Sequence, residues 1–339
     1  MRYRLLGPTG LRVSELILGT MTFGREWGWG ADAADAEAVL AAYTEAGGNV
    51  LDTANIYQNT ASEAILGDLL QDGRDRYVLA TKYTLAQATH GTDPNAGGSH
   101  RKGLMRELAA SLERLQTDYI DLLWVHAYDE LTPIEETMRA LDDVVRQGLV
   151  HYVGASDWPA WAVAKANAVA EARGWTPFAA LQIEYSLVER TPERELIPMA
   201  RHCGLAVTPW SPLGGGVLTG RYLAGGPGGR LGDAPQSKPE HLRIAQAVVD
   251  VARDAGCTPA QAAIAWLRAQ GPDILPILGA SSADQLRDSL GALDVTLSPD
   301  HLARLDEASA VTLGFPHDFL ARPMTRDRIY GGLRDQIDG

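Results

Sequence analysis

The chain has 339 residues, 45% hydrophobic and 22% charged, enough apolar material for a full globular core. Its 30 Lys and Arg against 43 Asp and Glu leave a net charge of −13. That balance argues against nucleic acid as a partner, since binding a phosphate backbone needs clustered cations. Cys203 and Cys257 have neither disulfide-framework nor metal-ligand spacing, so no metal and a reducing, cytoplasmic setting are expected.

The opening residues, Met1-Arg2-Tyr3-Arg4-Leu5-Leu6-Gly7, lack the apolar stretch of a secretion signal. No apolar run approaches the ~18 residues of a spanning helix, so no membrane partner is expected. Residues 4–14 read as two short strands joined by Pro8-Thr9-Gly10, a hairpin plug. Eight short apolar runs follow, at residues 16–19, 50–53, 77–81, 120–125, 150–154, 180–184, 205–208 and 274–278. They are nearly continuous in apolar residues, as parallel strands covered on both faces should be.

Between them lie helical spacings: Ala36, Val39, Leu40 and Tyr43; Leu104, Leu108, Leu112 and Leu115; Ile134, Met138, Leu141 and Val145. Thr132-Pro133-Ile134-Glu135 and Thr258-Pro259-Ala260-Gln261 read as capping boxes. Thr191-Pro192 and Ser298-Pro299 are simpler starts, and Pro198 is expected to kink its helix. Gly47-Gly48, Gly148, Gly174 and Gly204 mark helix ends.

This alternation predicts an α/β protein with one (β/α)8 TIM barrel as a single domain over residues 1–339. A C-terminal tail from residue 309 is expected near the barrel mouth. A doubly wound sheet would want G-x-G-x-x-G in its first strand-helix turn, which here reads Gly19-Thr20-Met21-Thr22-Phe23-Gly24. The glycine-rich connection 211–238 is the longest strand-to-helix loop and is expected on the active face.

Barrel enzymes carry their chemistry at the C-terminal strand ends. Asp52, Lys82 and His126 end the second, third and fourth strands, and Tyr57 follows Asp52 by five residues. Read singly, each has a plainer use: a strand-end cap, a solvated lysine, a satisfied buried histidine, a packing aromatic. Together they make an acid. A carbonyl that accepts hydride needs a proton, and a tyrosine, ordinarily near pKa ~10, is a weak donor at neutral pH. Lys82 is expected to lower that value, Asp52 to hold the ammonium, and His126 to hydrogen-bond the carbonyl oxygen. A barrel lyase using Lys82 as a Schiff-base nucleophile is the competing chemistry. Trp27 and Trp29, with Tyr57 and His126, are the expected substrate pocket. Trp124 fits pocket or packing, and His90 and His100 read as solvated.

Leu51-Asp52-Thr53-Ala54-Asn55-Ile56-Tyr57 with Gly67, Ala80-Thr81-Lys82, and Asp121-Leu122-Leu123-Trp124-Val125-His126 resemble the signature blocks of the aldo-keto reductases. The resemblance spans about Arg4 to Leu305. It implies a catalytic tetrad of Asp52, Tyr57, Lys82 and His126, and hydride transfer from a nicotinamide coenzyme to a small-molecule carbonyl substrate.

The coenzyme site is likewise implied by the resemblance. It takes in Gly19, Thr20, Met21 and Asp52 at the rim, and Ser156, Asp157 and Gln182 for the carboxamide. The family usually has Asn at the place of Asp157. Trp210-Ser211-Pro212-Leu213, followed by Gly220-Arg221-Tyr222, is similar to the potassium-channel beta-subunit branch, where the loop backbone and basic residues hold the pyrophosphate; Gly215, Arg221 and Arg230 are the candidates here. Gly279, Ser281, Gln285, Asp288 and Ser289 stand where the family binds the adenosine 2′-phosphate and adenine. Ser281 replaces a frequent Arg and Ser289 a frequent Asn. NADPH is the expected coenzyme, with NADH as the alternative. The channel resemblance also carries a second functional class, an NADP(H)-sensing binding protein with slow turnover.

Overall fold

A computed structural model describes residues 1–223 and 238–337 of the chain. Among these residues, ten strands form two sheets. The first is an antiparallel hairpin of β1 (Tyr3–Leu5) and β2 (Arg12–Ser14). The second is wholly parallel, with β3 (Ile17–Gly19), β4 (Val50–Asp52), β5 (Val78–Tyr83), β6 (Ile120–Val125), β7 (Val150–Ser156), β8 (Ala180–Glu184), β9 (Ala206–Trp210) and β10 (Ile277–Gly279). They pair in chain order, and β10 returns to β3. Backbone bonds at Val207, donated to Asp273 (2.8 Å) and accepted from Leu275 (2.8 Å), bring β9 to the start of the last strand. The result is a (β/α)8 barrel, as the alternation predicts.

Two apolar layers hold it. Leu18, Leu51, Leu79, Leu123, Val153, Leu181 and Val207 face outward and pack under the helices. Ile17, Val50, Val78, Ala80, Leu122, Trp124, Ala180, Ala206 and Leu275 fill the interior. Leu6 and Val13 of the hairpin join the interior cluster, so the hairpin plugs the barrel floor. Gly7 permits this. At φ +53, a Cβ there would lie 2.1 Å from the Ala179 carbonyl oxygen.

Several expected helix starts change in detail. Thr258 forms the expected capping box with Gln261, and Ser298, expected as a simpler start, forms one as well, with His301 as reciprocal partner. The helix Ile134–Arg146 starts without a side-chain cap, because the Thr132 hydroxyl donates instead to Asp129 (2.5 Å). Thr191 and Pro192 open a 3-10 turn, and the helix Leu196–His202 begins only afterwards. Pro198 therefore sits in a first turn, where its missing N–H costs nothing, and no kink is needed. The tail carries two short helices, His317–Leu320 and Pro323–Tyr330. It is tied beside the loop after β8 by Arg194, which donates to the Thr312 carbonyl (2.7 Å), and by His317 with Glu195 (3.2 Å).

Candidate active site

Strand parity decides which side chains reach the mouth. Successive residues of a strand point to opposite faces. Val50 is interior and Leu51 exterior, so Asp52 points inward. Val78 and Ala80 are interior, which puts Lys82 on the same line. Leu122 and Trp124 do the same for His126, and Ala180 for Gln182. The register sets Asp52 beside Ala80, Lys82 beside Trp124 and Ser156 beside Gln182.

The Lys82 side chain is fully buried. Its Nζ lies 2.5 Å from Asp52 Oδ2, donates to the Thr53 carbonyl (2.8 Å) and stands 4.8 Å from the centre of the Tyr57 ring. Gln182 Nε2 donates to the other Asp52 oxygen (3.0 Å), so both carboxylate oxygens are held. Burial works against the ammonium most strongly of any single effect, but the Asp52 carboxylate and Tyr57 together outweigh it and raise the Lys82 pKa. Tyr57 differs from the expectation built on Lys82 alone. Burial pushes its phenol up, the Lys82 charge pulls it down, and the Asp52 charge pushes it up again, for a net rise. Tyr57 is therefore a neutral phenol, beside a cation positioned to stabilise its phenolate.

The ring of His126 meets that of Tyr57 edge-on, with centres 6.0 Å apart. Burial, aided by the Lys82 charge, pushes its pKa down to about 3. The imidazole is thus neutral, and its Nδ1 is buried without a hydrogen-bond partner.

Tyr57 opens a 3-10 turn, Tyr57–Thr60, in which Gln58, Asn59 and Thr60 have φ of 48°, 52° and 85°. Left-handed backbone costs an L-residue roughly 1–2 kcal/mol, so this run must be held from outside. Thr53 and Ser62 bond through their hydroxyls (2.9 Å), and Ser62 donates to the Thr20 carbonyl (2.8 Å). Asn55 Nδ2 donates to the Leu85 carbonyl (3.1 Å) and to the buried Glu107 (2.9 Å). The sequence marks no such role for Ser62 or Glu107, and Asn55 stands out there only as part of a signature block. Their signal was faint: polar residues within otherwise apolar stretches.

Trp27 lies 5.7 Å from Trp29 and 6.5 Å from Tyr57, ring centre to ring centre, at the open side of the mouth. Trp124 is instead inside the barrel. It packs where a Cβ on Gly154 would come within 2.4 Å of its ring. His100 is not solvated as expected. Its Nδ1 caps the helix Arg101–Leu115 by accepting from the Gly103 N–H (3.0 Å).

The residues expected to hold coenzyme lie mostly on the other half of the rim. Ser156 is buried, and its hydroxyl donates to Asp157 Oδ2 at 3.5 Å. Asp157 accepts from Trp210 Nε1 (3.1 Å), which fixes the indole at the end of β9. Ser211 has φ 53°, and Leu213 precedes the 3-10 turn Gly214–Thr219, in which Gly215 has φ 65°. Arg221 is exposed, and Arg230 lies outside the described residues. Across the rim, Gly19 packs on Ile277, the Thr20 N–H donates to the Asp52 carbonyl (2.9 Å), and the Met21 carbonyl accepts from Gln58 (3.1 Å).

Gly279 ends β10, and the helix Ala283–Leu290 follows. Ser282 caps that helix, but Gln285 Oε1 accepts from the Ser281 N–H (2.9 Å) rather than closing a box on Ser282. The Asp288 carboxylate is engaged by Gln261 (3.1 Å) and Thr258 (3.3 Å), and Ser289 is buried. A fixed flat indole, convergent polar side chains at the ends of β7 and β8, and an N–H-rich helix start fit a nicotinamide coenzyme. Among the described residues no cluster of metal ligands occurs.

The sequence profile of the Aldo/keto reductase family matches residues 15–310. The chain belongs to that family. It is accordingly an oxidoreductase of the NAD(P)H-dependent, carbonyl-reducing type. The relatives agree. Norsolorinic acid reductase A of Aspergillus parasiticus is 37% identical over 333 residues, covering 96% of this chain and 85% of its own. An NADP(+) aryl-alcohol dehydrogenase of Phanerodontia chrysosporium is 37% identical over 338 residues, covering 93% and 88%. Norsolorinic acid reductase stcV of Emericella nidulans is 38% identical over 327 residues, covering 94% and 84%. Among the described residues of this aldo/keto reductase, no helix is long and apolar enough to cross a membrane.

Proposed function

We propose that this aldo/keto reductase reduces the carbonyl of an aromatic aldehyde or ketone with NADPH, with Tyr57 as the proton donor. The observation that carries the reading is the contact chain Asp52–Lys82–Tyr57, with His126 edge-on to the same phenol. The reduced nicotinamide, when bound, supplies the hydride. The chain's own groups handle the charge that results. The Tyr57 hydroxyl gives its proton to the developing alkoxide, and the phenolate left behind is stabilised by the Lys82 ammonium. Asp52 keeps that ammonium charged and in place. Neutral His126 hydrogen-bonds the carbonyl oxygen without competing as an acid, since its pKa near about 3 keeps it unprotonated at working pH.

Coenzyme assignments follow the rim. Gln182 has its NH2 on Asp52, which turns the oxygen end of its amide toward a carboxamide. Ser156 and Asp157 complete that set, Trp210 gives the nicotinamide a flat face, and Ser281 with Gln285 lies at the phosphate end. NADPH is preferred over NADH partly because a relative is named for NADP(+). The aromatic substrate class rests on Trp27 and Trp29 and on the aryl-alcohol and norsolorinic acid relatives.

Schiff-base chemistry at Lys82 would need the free amine. The Asp52 pair opposes this by favouring the ammonium. The whole chain reads as one barrel domain, with the tail tied back at Thr312 and His317. The deciding experiment follows coenzyme oxidation over aromatic, aliphatic and sugar carbonyls. Turnover of aromatic aldehydes with NADPH supports the reading. No turnover of any carbonyl, or borohydride trapping on Lys82, overturns it.

A further inference from the structure

Gln58 plays no part in the chemistry above, yet its side chain is fully buried and its backbone is held left-handed. Its Nε2 donates to the carbonyls of Met21 (3.1 Å) and Trp29 (3.2 Å), and its Oε1 accepts from the Trp27 N–H (2.9 Å). Both donors and one acceptor of a single amide are thus spent on one loop. Next to it, Asn59 Oδ1 accepts from the Trp27 indole N–H (3.2 Å).

The loop is built to receive this plug. Its neck is closed by the Gly24 N–H to the Ala31 carbonyl (2.8 Å) and the Ala31 N–H to the Thr22 carbonyl (2.6 Å). Gly24 has φ +116°, and a Cβ there would lie 2.8 Å from the Gln58 Cβ. The strained turn after Tyr57 and the loop bearing Trp27 and Trp29 are therefore one clamped unit. Strain of this kind persists only where the surroundings over-determine it.

We propose that Gln58 is a positioning residue that sets substrate specificity. Through it, the Trp27–Trp29 wall is held at a fixed distance from the Tyr57 hydroxyl, so that a planar aromatic carbonyl is seated with its oxygen at the acid. The inference rests on the reading that these tryptophans line the substrate pocket. A small aliphatic aldehyde would not span from Tyr57 to the wall and gains little from it.

The test compares kcat/KM for 3,4-dimethoxybenzaldehyde and for propanal, with NADPH, in wild type, Gln58→Leu and Gln58→Glu. The glutamate keeps the shape and the acceptor but lacks both donors. The aromatic-to-aliphatic ratio should fall roughly tenfold or more in both variants, mainly through KM for the aromatic aldehyde. A ratio within about twofold of wild type in a folded variant overturns the proposal. Should neither Gln58 variant fold, Asn59→Gly, which suits the left-handed backbone there, frees the indole and should lower the ratio about threefold; an unchanged ratio overturns the proposal. If wild type reduces neither aldehyde, the reductase reading has failed. The clamp is then judged by hydrogen exchange over residues 22–31. Faster exchange in Gln58→Leu, confined to that segment, supports it, and an unchanged pattern overturns it.

Discussion

The two halves of the barrel mouth are built differently. Between β4 and β6, the polar groups behind Tyr57 are buried and multiply bonded: Lys82 has no exposed side-chain surface, and Asp52 is held at both oxygens. Between β9 and the helix Ala283–Leu290, the polar residues are largely exposed, and Gln285 spends its amide oxygen on Ser281. Under the proposed mechanism, one half is preorganised for charge that appears only during reaction. The other makes local bonds that an arriving ligand can exchange. Substitutions in the first half should therefore change the rate, and substitutions in the second should change coenzyme affinity.

The largest effect is expected for Tyr57→Phe. Turnover should fall by about 10²–10⁴, while coenzyme dissociation constants, read by fluorescence titration, stay close to wild type. Unchanged turnover would break the contrast at its centre. Lys82→Met should also cost turnover, and it leaves Asp52 as a buried charge without its partner. A stability loss of about 3–5 kcal/mol is expected by chemical denaturation. Adding Asp52→Asn should recover stability but not rate.

The next effect is on pH. His126 has a folded pKa far below its unfolded value of about 6.5. The folded state therefore resists protonation. Its contribution to stability is complete above about 6.5 and is lost as pH falls toward about 3. With partial exposure allowed for, the slope from this group should be at most about 1 kcal/mol per pH unit. Urea titrations across that range should show it, and His126→Gln should flatten it.

Two smaller effects probe the coenzyme side of the rim, at Ser281 in the exposed half and at Asp157 after β7. Ser281→Arg should tighten NADPH relative to NADH by roughly tenfold, since a guanidinium adds a bidentate partner for a phosphate. Asp157→Asn should change coenzyme affinity only a few-fold, by adding a donor for the carboxamide oxygen. Both are measured as dissociation constants. An equal loss of turnover would blur the distinction between the halves.

The same contrast explains what was legible in the sequence. The eight strands and the rim positions of Asp52, Lys82 and His126 are legible because a buried parallel strand is apolar throughout, so a polar group at its end is conspicuous; Tyr57, in the turn beyond, is legible only by its company and by the signature block. The sign of the Tyr57 shift was not legible. It depends on how much burial opposes Lys82, which only packing reveals. Thr132 read as a cap, yet it serves Asp129, because short polar side chains choose among nearby partners by geometry. The clamp of Gln58 on Trp27 joins residues 31 apart through a turn that no propensity favours. His100 looked like a surface histidine because capping by an imidazole leaves no pattern in composition.

The hairpin under the barrel has a consequence for solvent traffic. Leu6, Val13 and the Gly7 turn pack against the interior cluster and close the floor of the barrel among the described residues, which leaves the mouth as the wide opening. Under the proposed chemistry, a proton spent at Tyr57 must be replaced along the route by which ligands come and go. Reloading the acid then waits on departure from the mouth, and a solvent isotope effect would track release as well as the chemical step.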